Sequence, residues 1–250
     1  MRKIVIVIAM ITFAIFGLMM YQYREQAREV TQFEIYQNVL DEKSDTLYEQ
    51  AKDWTKPIAI DTRDVRLKPD FQIMADFMLN MMVQNAELRN SYLRELKDAQ
   101  WDKFLDIDRL EKDQQYAYIE TETMLARVGE MINLYQQNLD EHQHEIQKEI
   151  SVLPIKTRFR RYLTEVLVQR NDQGQDHLLF QLEKQRYAKA QQLFKILKSQ
   201  KWKNKNNTFM FEDQRVVNEF NQGYAEIVAL DKQMRQVSQL TQKELEKRVE

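Results

Sequence analysis

The sequence predicts an all-α protein in which a single N-terminal transmembrane helix precedes an extended helical bundle with long coiled-coil-like helices. The run Ile4–Met20, IVIVIAMITFAIFGLMM, contains no charged residue. Glycine and proline number only 4 and 3 in 250 residues, although average usage is about 7 % and 5 %. Sheets need many turns, and turns depend on these two residues, so their scarcity favours a few long helices. Elsewhere the apolar residues recur at steps of three and four, which is typical of one face of a helix.

Residues 4–23 are predicted to be an uncleaved signal anchor, because a helix of this length covers a hydrocarbon core about 30 Å thick. The alternative is a cleaved signal peptide, but Leu18–Tyr23 contains no small residue for a cleavage site. Arg2 and Lys3 precede the run. Residues 1–3 are therefore expected in the cytoplasm and the C-terminal domain in the periplasm or outside, with one crossing of a bacterial inner membrane.

After the span, residues 24–53 contain no glycine or proline, and they are predicted to continue it as a membrane-proximal helix. Pro57 and Pro69 then bracket residues 54–69, and each disfavours helix at the residue before it. These prolines predict an extended strap over residues 54–69. Residues 70–250 are predicted to form the helical bundle domain.

Within the bundle, Asp70 is expected to cap a helix that runs to about Lys97, and a short helix is expected around Trp101–Ile107. A long helix to about Ile150 should follow, and we expect it to pack antiparallel on the last helix, which begins near Glu212. Its apolar seam steps by three and four, as at a bundle edge, and comprises Leu125, Val128, Ile132, Tyr135, Leu139, His142 and Ile146.

Two shorter segments complete the bundle prediction. Pro154 should open the next helix, because proline is favoured in the first turn. The segment Lys201–Thr208, KWKNKNNT, is interpreted as a polar loop before the last helix.

Glu141 and His144 are the weak candidates for a metal site, since Glu-x-x-His is the spacing of di-iron carboxylate bundles. Such sites need a second pair and two further glutamates, and the ligand count here is incomplete. We therefore expect a solvated acidic face rather than a metal centre, and no cofactor.

Two further surfaces are candidates for binding. Methionine suits adaptable apolar surfaces but is more often plain core, and one methionine set could line a groove: Met74, Met78, Met81 and Met82. Basic residues could form an anion patch, although lysines near a helix C-terminus also complement its dipole. The basic candidates fall in two clusters: Lys156, Arg158, Arg160 and Arg161, then Lys195, Lys198, Lys201 and Lys203.

The composition argues against several classes of function. With no cysteine, thiol catalysis, disulfides and cysteine-bound metals are excluded. The formal net charge of −2 does not fit a general nucleic-acid binder. No serine lies in a Gly-x-Ser-x-Gly elbow, and no glycine-rich phosphate loop is present. We therefore expect a protein that is not an enzyme.

The segment Phe209–Asn221, FMFEDQRVVNEFN, resembles a late stretch in an uncharacterised group of bacterial envelope lipoproteins with a helical layout. Those proteins carry a lipid-modified cysteine, which this chain lacks. The resemblance covers a minor part of the sequence and supplies no function.

Together these features predict a membrane-tethered bacterial envelope protein that acts as a non-catalytic helical interaction or scaffold module. The alternative is a periplasmic ligand-sensing bundle that signals through a partner protein. The expected partners are the lipid bilayer, through residues 4–23, and a protein of unknown identity, with no nucleic acid. Homo-oligomerisation stays open.

Overall fold

The computed structural model describes the backbone of residues 2–171 and 175–249 and the side chains of residues 27–167 and 177–239. The fold is mostly helical, as predicted. The helices are α1 (Arg2–Ala51), α2 (Pro69–Asp98), a 3₁₀ turn (Trp101–Lys103), α3 (Ile107–Gln114), α4 (Ile119–Val152), α5 (Thr157–Asn171), α6 (Gln175–Ser199) and α7 (Gln214–Val249), with strands β1 (Trp202–Asn204) and β2 (Phe209–Phe211) before α7.

The chain forms two compact units. The first unit comprises Met1–Glu87 and Glu149–Arg160, and the second comprises Leu88–Lys148 and Arg161–Glu250. The division between them falls within three helices, α2, α4 and α5.

Among the helices whose side chains are described, none is both long and apolar enough to cross a membrane. The side chains of the predicted span, residues 4–23, are not among those described. The membrane anchor therefore stays a prediction.

The core of the first unit is aromatic where α1 meets α2. The Phe71 ring lies 6.5 Å from Phe33 and 6.0 Å from Tyr36, both of α1, and 5.0 Å from Phe159. Tyr36, Phe71 and Phe159 are buried. Because apolar residues of α1 recur on one face, the helix that carries the apolar run is also a structural part of this unit.

Between α1 and α2, the chain over residues 54–68 is held by helix side chains rather than by a neighbouring strand. The Gln50 amide accepts from Ala59 N at 2.9 Å and donates to Ala59 O at 3.0 Å. Gln72 accepts from Asp64 N at 2.9 Å, and the Gln32 amide accepts from Lys68 N at 2.9 Å. These side chains satisfy backbone groups that an extended segment would otherwise leave unpaired.

Arg66 fastens the second half of this strap. Its guanidinium donates to both oxygens of Glu42 on α1, at 3.1 and 2.6 Å, and to both oxygens of Asp64, at 2.9 and 2.8 Å. Hydrogen bonds from the Arg66 side chain lower the pKa of Asp64 from its ordinary 3.8 to about 2. The same guanidinium lowers the pKa of Glu42.

We expect the strap to loosen in acid. The folded-state pKa of Asp64 lies below its unfolded value, so its contribution to stability is present above pH 3.8 and is lost as the pH falls towards 2. Pepsin cleavage within residues 57–68 should rise steeply across this window. The Arg66→Gln variant should be cleaved readily throughout, and equal pH profiles for the two proteins would contradict this role of Arg66.

The second unit is organised around α6, which runs antiparallel to both α4 and α7. Lys198 near the end of α6 pairs with Glu122 near the start of α4, whereas Phe180 early in α6 lies 4.9 Å from Tyr135, later in α4. On the other side, Lys189 pairs with Glu226 at 2.6 Å. Further along the same pair of helices, the Arg186 and Asp231 side chains approach to 2.7 Å.

The expected antiparallel pairing of α4 with the last helix is therefore wrong, because α4 and α7 run parallel. The burial of the α4 seam is confirmed for Leu125, Val128, Ile132 and Tyr135. The spacing of a seam identifies which residues are buried but not which helix covers them.

Gly129 allows α4 and α6 to approach closely. A β-carbon built there would lie 2.4 Å from the Tyr187 hydroxyl and 3.1 Å from Cζ. That hydroxyl donates to Leu125 O at 3.0 Å, one helical turn earlier. Glycine is thus needed at this position for lack of space.

We expect Gly129→Ala to lower the free energy of unfolding by about 1–2 kcal/mol. Overpacking of a core costs about 1–3 kcal/mol, which outweighs the gain of roughly 1 kcal/mol in helix propensity. Adding Tyr187→Phe removes the clashing oxygen and should recover part of the loss. Thermal unfolding of the single and double variants measures this coupling, and additive effects would rule out the steric explanation.

The turn before α4 is held by the buried side chain of Asp113. Its carboxylate accepts from Glu120 N at 3.0 Å, from Thr121 N at 2.8 Å and from Thr121 Oγ1 at 2.6 Å. Ala117 and Tyr118 both adopt positive φ, 56° and 62°, a conformation that is costly for residues with a β-carbon. Asp113 therefore both caps α4 and holds the strained turn in place.

The predicted polar loop Lys201–Thr208 is wrong in its first half, because Trp202–Asn204 pairs with Phe209–Phe211 as an antiparallel hairpin. Asn206 and Asn207 adopt φ of 53° and 59°, as in the two-residue turns that favour asparagine. The buried Trp202 indole donates to the Tyr118 hydroxyl at 2.7 Å, and that hydroxyl donates to Leu197 O at 2.9 Å. This chain of hydrogen bonds joins the hairpin, α6 and the turn before α4.

Pro154 does not open α5, contrary to the prediction, since that helix begins at Thr157. Arg160 explains the difference. It donates to Leu153 O at 3.0 Å and to Ile155 O at 2.9 Å. Carbonyl groups bound in this way support a non-helical connection between α4 and α5.

Candidate interaction surfaces

The first basic cluster divides between the two units. Lys156 and Arg158 both contact the carboxylate of Glu29 on α1. Arg160 instead donates hydrogen bonds to carbonyl groups of the α4–α5 connection. Arg161 belongs to the second unit and is exposed. Lys156, Arg158 and Glu29 thus form a compact ionic group, which we call the Glu29 cluster.

The Glu29 cluster carries more positive than negative charge and is open to water. The side chains of Lys156 and Arg158 are 49 % and 55 % exposed, while that of Glu29 is 21 % exposed. Two cations on one carboxylate leave a net charge of +1 facing solvent. A surface with net positive charge attracts anions.

Exposed apolar side chains belong to the same unit. Val30, next to Glu29 on α1, is 61 % exposed, and Val152, at the end of α4, is 78 % exposed. Single exposed valines are common on protein surfaces, but basic residues combined with apolar ones are typical of surfaces that lie against membranes.

The second basic cluster lies along the end of α6 and on β1. Lys198 pairs with Glu122, and Lys195, Lys201 and Lys203 are exposed. Asn204, between the lysines of the hairpin, donates to Asp108 at 2.9 Å and to Glu111 at 3.3 Å. Because carboxylates lie among these lysines, this surface has a mixed charge.

The methionine set belongs to the first unit and is mostly inaccessible. Met74, Met78 and Met81 are buried, and the Met82 sulfur accepts from the Ser44 hydroxyl at 3.6 Å. The methionines therefore fill the core of the unit and do not line an open groove.

Glu141 and His144 are exposed on α4, and Glu141 accepts from the Gln137 amide at 2.7 Å. Across the residues that the structure describes, no group of three or more acidic or histidine side chains is arranged to hold a metal ion. The two residues thus lie on a solvated face.

A partly buried polar cluster in the second unit was not found by sequence reasoning. Arg89 and Glu183 form a bidentate ion pair at 3.1 and 2.8 Å, beside the stacked rings of Tyr92 and Tyr135, whose centroids lie 4.6 Å apart. Burial, together with the Glu183 charge, raises the pKa of the Tyr92 hydroxyl. Since Arg89 and Glu183 lie 94 positions apart in the chain, no local spacing indicates the pair.

No family model, curated protein or solved structure matches this chain. Two ionic groups are the best-defined candidates. The Glu29 cluster is accessible, whereas the Arg89–Glu183 pair is largely enclosed by the bundle.

Proposed function

We propose that this protein is a membrane-tethered module of a bacterial envelope, in which residues 4–23 form the anchor and the helical units provide a non-catalytic scaffold for a protein partner. The observation that carries this proposal is the continuity of α1 from Arg2 to Ala51. The same helix holds the apolar run Ile4–Met20 and supplies Tyr36 and Val39 to the core of the first unit. A helix that spans a bilayer and also packs in a domain holds that domain at a fixed distance from the membrane.

The polar groups that the structure brings together support a structural role. Asp113 caps α4, and Arg109 donates to Phe104 O at 2.9 Å and to Thr121 Oγ1 at 3.0 Å. Arg66 fastens the strap between α1 and α2. Each of these charged groups is used to hold helices and connections in place, as expected for a scaffold.

Membrane extraction tests the tether. The full chain with a C-terminal reporter, expressed in a bacterial host, should stay in the membrane fraction after alkaline carbonate treatment, with the reporter outside the cytoplasm. The double variant Ile8→Lys/Phe13→Arg should be released, because a charge at the centre of a span costs about 2.5–3.5 kcal/mol each. A mature N-terminus near Tyr21 would contradict the anchor.

One observation favours ligand sensing as a second candidate function. Asn90 on α2 is buried, and within the described part of the chain its side-chain N–H group has no hydrogen-bond acceptor. A buried donor without an acceptor costs about 1–3 kcal/mol, and a small ligand with an oxygen acceptor would remove that cost.

Asn90→Leu therefore tests this second candidate. Without added ligand we expect the variant to be more stable than the parent by about 1 kcal/mol, because the unpaired amide is gone. A compound that raises the melting temperature of the parent but not that of Asn90→Leu would support sensing. Equal shifts in both proteins would count against this site.

A further inference from the structure

We propose that Lys156 and Arg158 bind the phosphate groups of anionic phospholipids in the bilayer that holds residues 4–23, and so seat the first unit on the membrane surface. The inference rests on the proposed function, because it takes residues 4–23 as the anchor. It adds a second point of attachment, made by the folded unit itself.

The Glu29 cluster lies on α1 at the height of the lipid headgroups. Glu29 follows Tyr23 by six residues, which is about 9 Å at 1.5 Å per residue. The headgroup layer on each side of the hydrocarbon core is roughly 5–8 Å thick. Lys156 and Arg158, which contact the Glu29 carboxylate, therefore lie just above the phosphates, within reach of long basic side chains.

The charge of the Glu29 cluster suits an anionic surface. Across the described residues, Glu29 is the acid with which Lys156 and Arg158 form ion pairs, and one carboxylate cannot neutralise two cations. Arg28 adds a further exposed basic residue at the same level of α1. Each basic residue close to an anionic bilayer strengthens the binding of a protein to that bilayer by roughly fivefold.

The Glu29 cluster is supported by the packed core of the first unit. The ring of Phe159, next to Arg158, is buried and lies 5.0 Å from Phe71, and the Arg158 guanidinium lies over the Phe159 ring at 5.1 Å. Arg160 fixes the connection that carries Lys156 by donating to Leu153 O and Ile155 O. The two cations are thus held in position before any lipid binds, so less side-chain freedom is lost on binding.

Exposed apolar residues of the same unit lie near the Glu29 cluster in sequence. Val152 lies four residues before Lys156, and Val30 directly follows Glu29; both are more than half exposed. Apolar side chains beside basic ones allow a surface to enter the headgroup boundary while its cations bind phosphate.

The absence of cysteine from the sequence makes a site-specific probe straightforward. Val152→Cys in the full chain can be labelled with an environment-sensitive fluorophore and reconstituted into vesicles of phosphatidylcholine, with or without phosphatidylglycerol. We expect a blue-shifted emission, protected from an aqueous quencher, only in the vesicles that contain phosphatidylglycerol. High salt should reverse the effect, since surface electrostatics are screened.

Three variants in the labelled background make the test specific. Lys156→Gln/Arg158→Gln should abolish the response to phosphatidylglycerol, whereas Lys195→Gln/Lys203→Gln, which removes two charges from the second unit, should leave it intact. Glu29→Gln keeps both cations and removes the competing carboxylate, so it should strengthen the response even if the first variant folds poorly. Circular dichroism of each variant reports on folding.

The outcomes separate the two proposals. If the full chain stays in the vesicles after carbonate treatment but the label responds equally to both lipid compositions, the phospholipid site is wrong and the tether stands. If Glu29→Gln weakens the response, the phospholipid site is also wrong. If the chain is released from the vesicles, both proposals fall.

Discussion

Phe180→Ala is expected to destabilise the second unit by about 3–5 kcal/mol, the usual cost of truncating a buried phenylalanine. The ring is almost completely buried. It meets Tyr92 and Tyr135 edge-on, with centroids 6.1 and 4.9 Å away, and the Lys184 ammonium lies 4.9 Å from its centroid. Removing it leaves a cavity between the stacked tyrosines and α6.

Urea unfolding of the full chain, followed by far-ultraviolet circular dichroism, measures this effect. Phe180→Leu retains most of the volume, and we expect it to cost less than about 1.5 kcal/mol. Hydrogen exchange at residues 89–92 and 132–135 should show that the loss is local to this contact. A Phe180→Ala protein that unfolds at the urea concentration of the parent would contradict the position of Phe180 in the core.

Asp113→Ala should destabilise the protein by about 3 kcal/mol, more than the loss of an ordinary helix cap. A surface N-cap costs about 1 kcal/mol when replaced by alanine. Here the carboxylate and Thr121 are both buried, so the N–H groups of Glu120 and Thr121 and the Thr121 hydroxyl would lose their acceptor without gaining water.

Asp106 provides the matched control. It caps α3 by accepting from Arg109 N at 3.0 Å and is exposed, so Asp106→Ala should cost about 1 kcal/mol. Asp113→Asn, which retains one acceptor oxygen, should fall between the two alanine variants. Thermal unfolding of the three proteins ranks them, and equal losses for Asp106→Ala and Asp113→Ala would show that burial does not amplify the cap.

The helices were predictable where the apolar period is long. The expected helix from Asp70 to about Lys97 corresponds to α2, and the seam of α4 is buried at Leu125, Val128 and Ile132. Such periodicity identifies a helix and its inner face. The choice of α6 rather than α7 as the partner of α4 depends on contacts such as Tyr187 with Gly129, which no local pattern encodes.

The hairpin and the strained turn were missed because the residue types at their positive-φ positions give weak sequence signals. Asn206 and Asn207 replace the Asn-Gly pair that marks most tight hairpins, and they lie among lysines that favour a loop interpretation. Tyr118 adopts positive φ although its residue type gives no hint of it. The conformation is maintained by the cap from Asp113, five residues earlier, and by the hydrogen bond from Trp202, which lies 84 positions later.

The candidate surfaces were predictable as residue types but not as arrangements. The basic cluster around Lys156 could be read from the sequence, whereas its partner Glu29 lies 127 positions earlier. Likewise, the methionines of α2 could be recognised as apolar, but only packing shows that Met74 and Met78 are enclosed. Accessibility and ion pairing are tertiary properties, and they decide which residues can meet a ligand.

The order of α6, hairpin and α7 has a consequence for how the chain folds. These elements are contiguous in sequence, and their contacts, such as Lys189 with Glu226 and Leu193 with Gly223, close shorter loops than the Arg89–Glu183 pair, whose residues lie 94 positions apart. Proteins and segments with such local contacts fold fast, since little chain entropy is lost before contacts form. This helix–hairpin–helix is therefore expected to assemble first and to provide a preformed surface for α4. The hydrogen bond between Trp202 and Tyr118 should form in a later step.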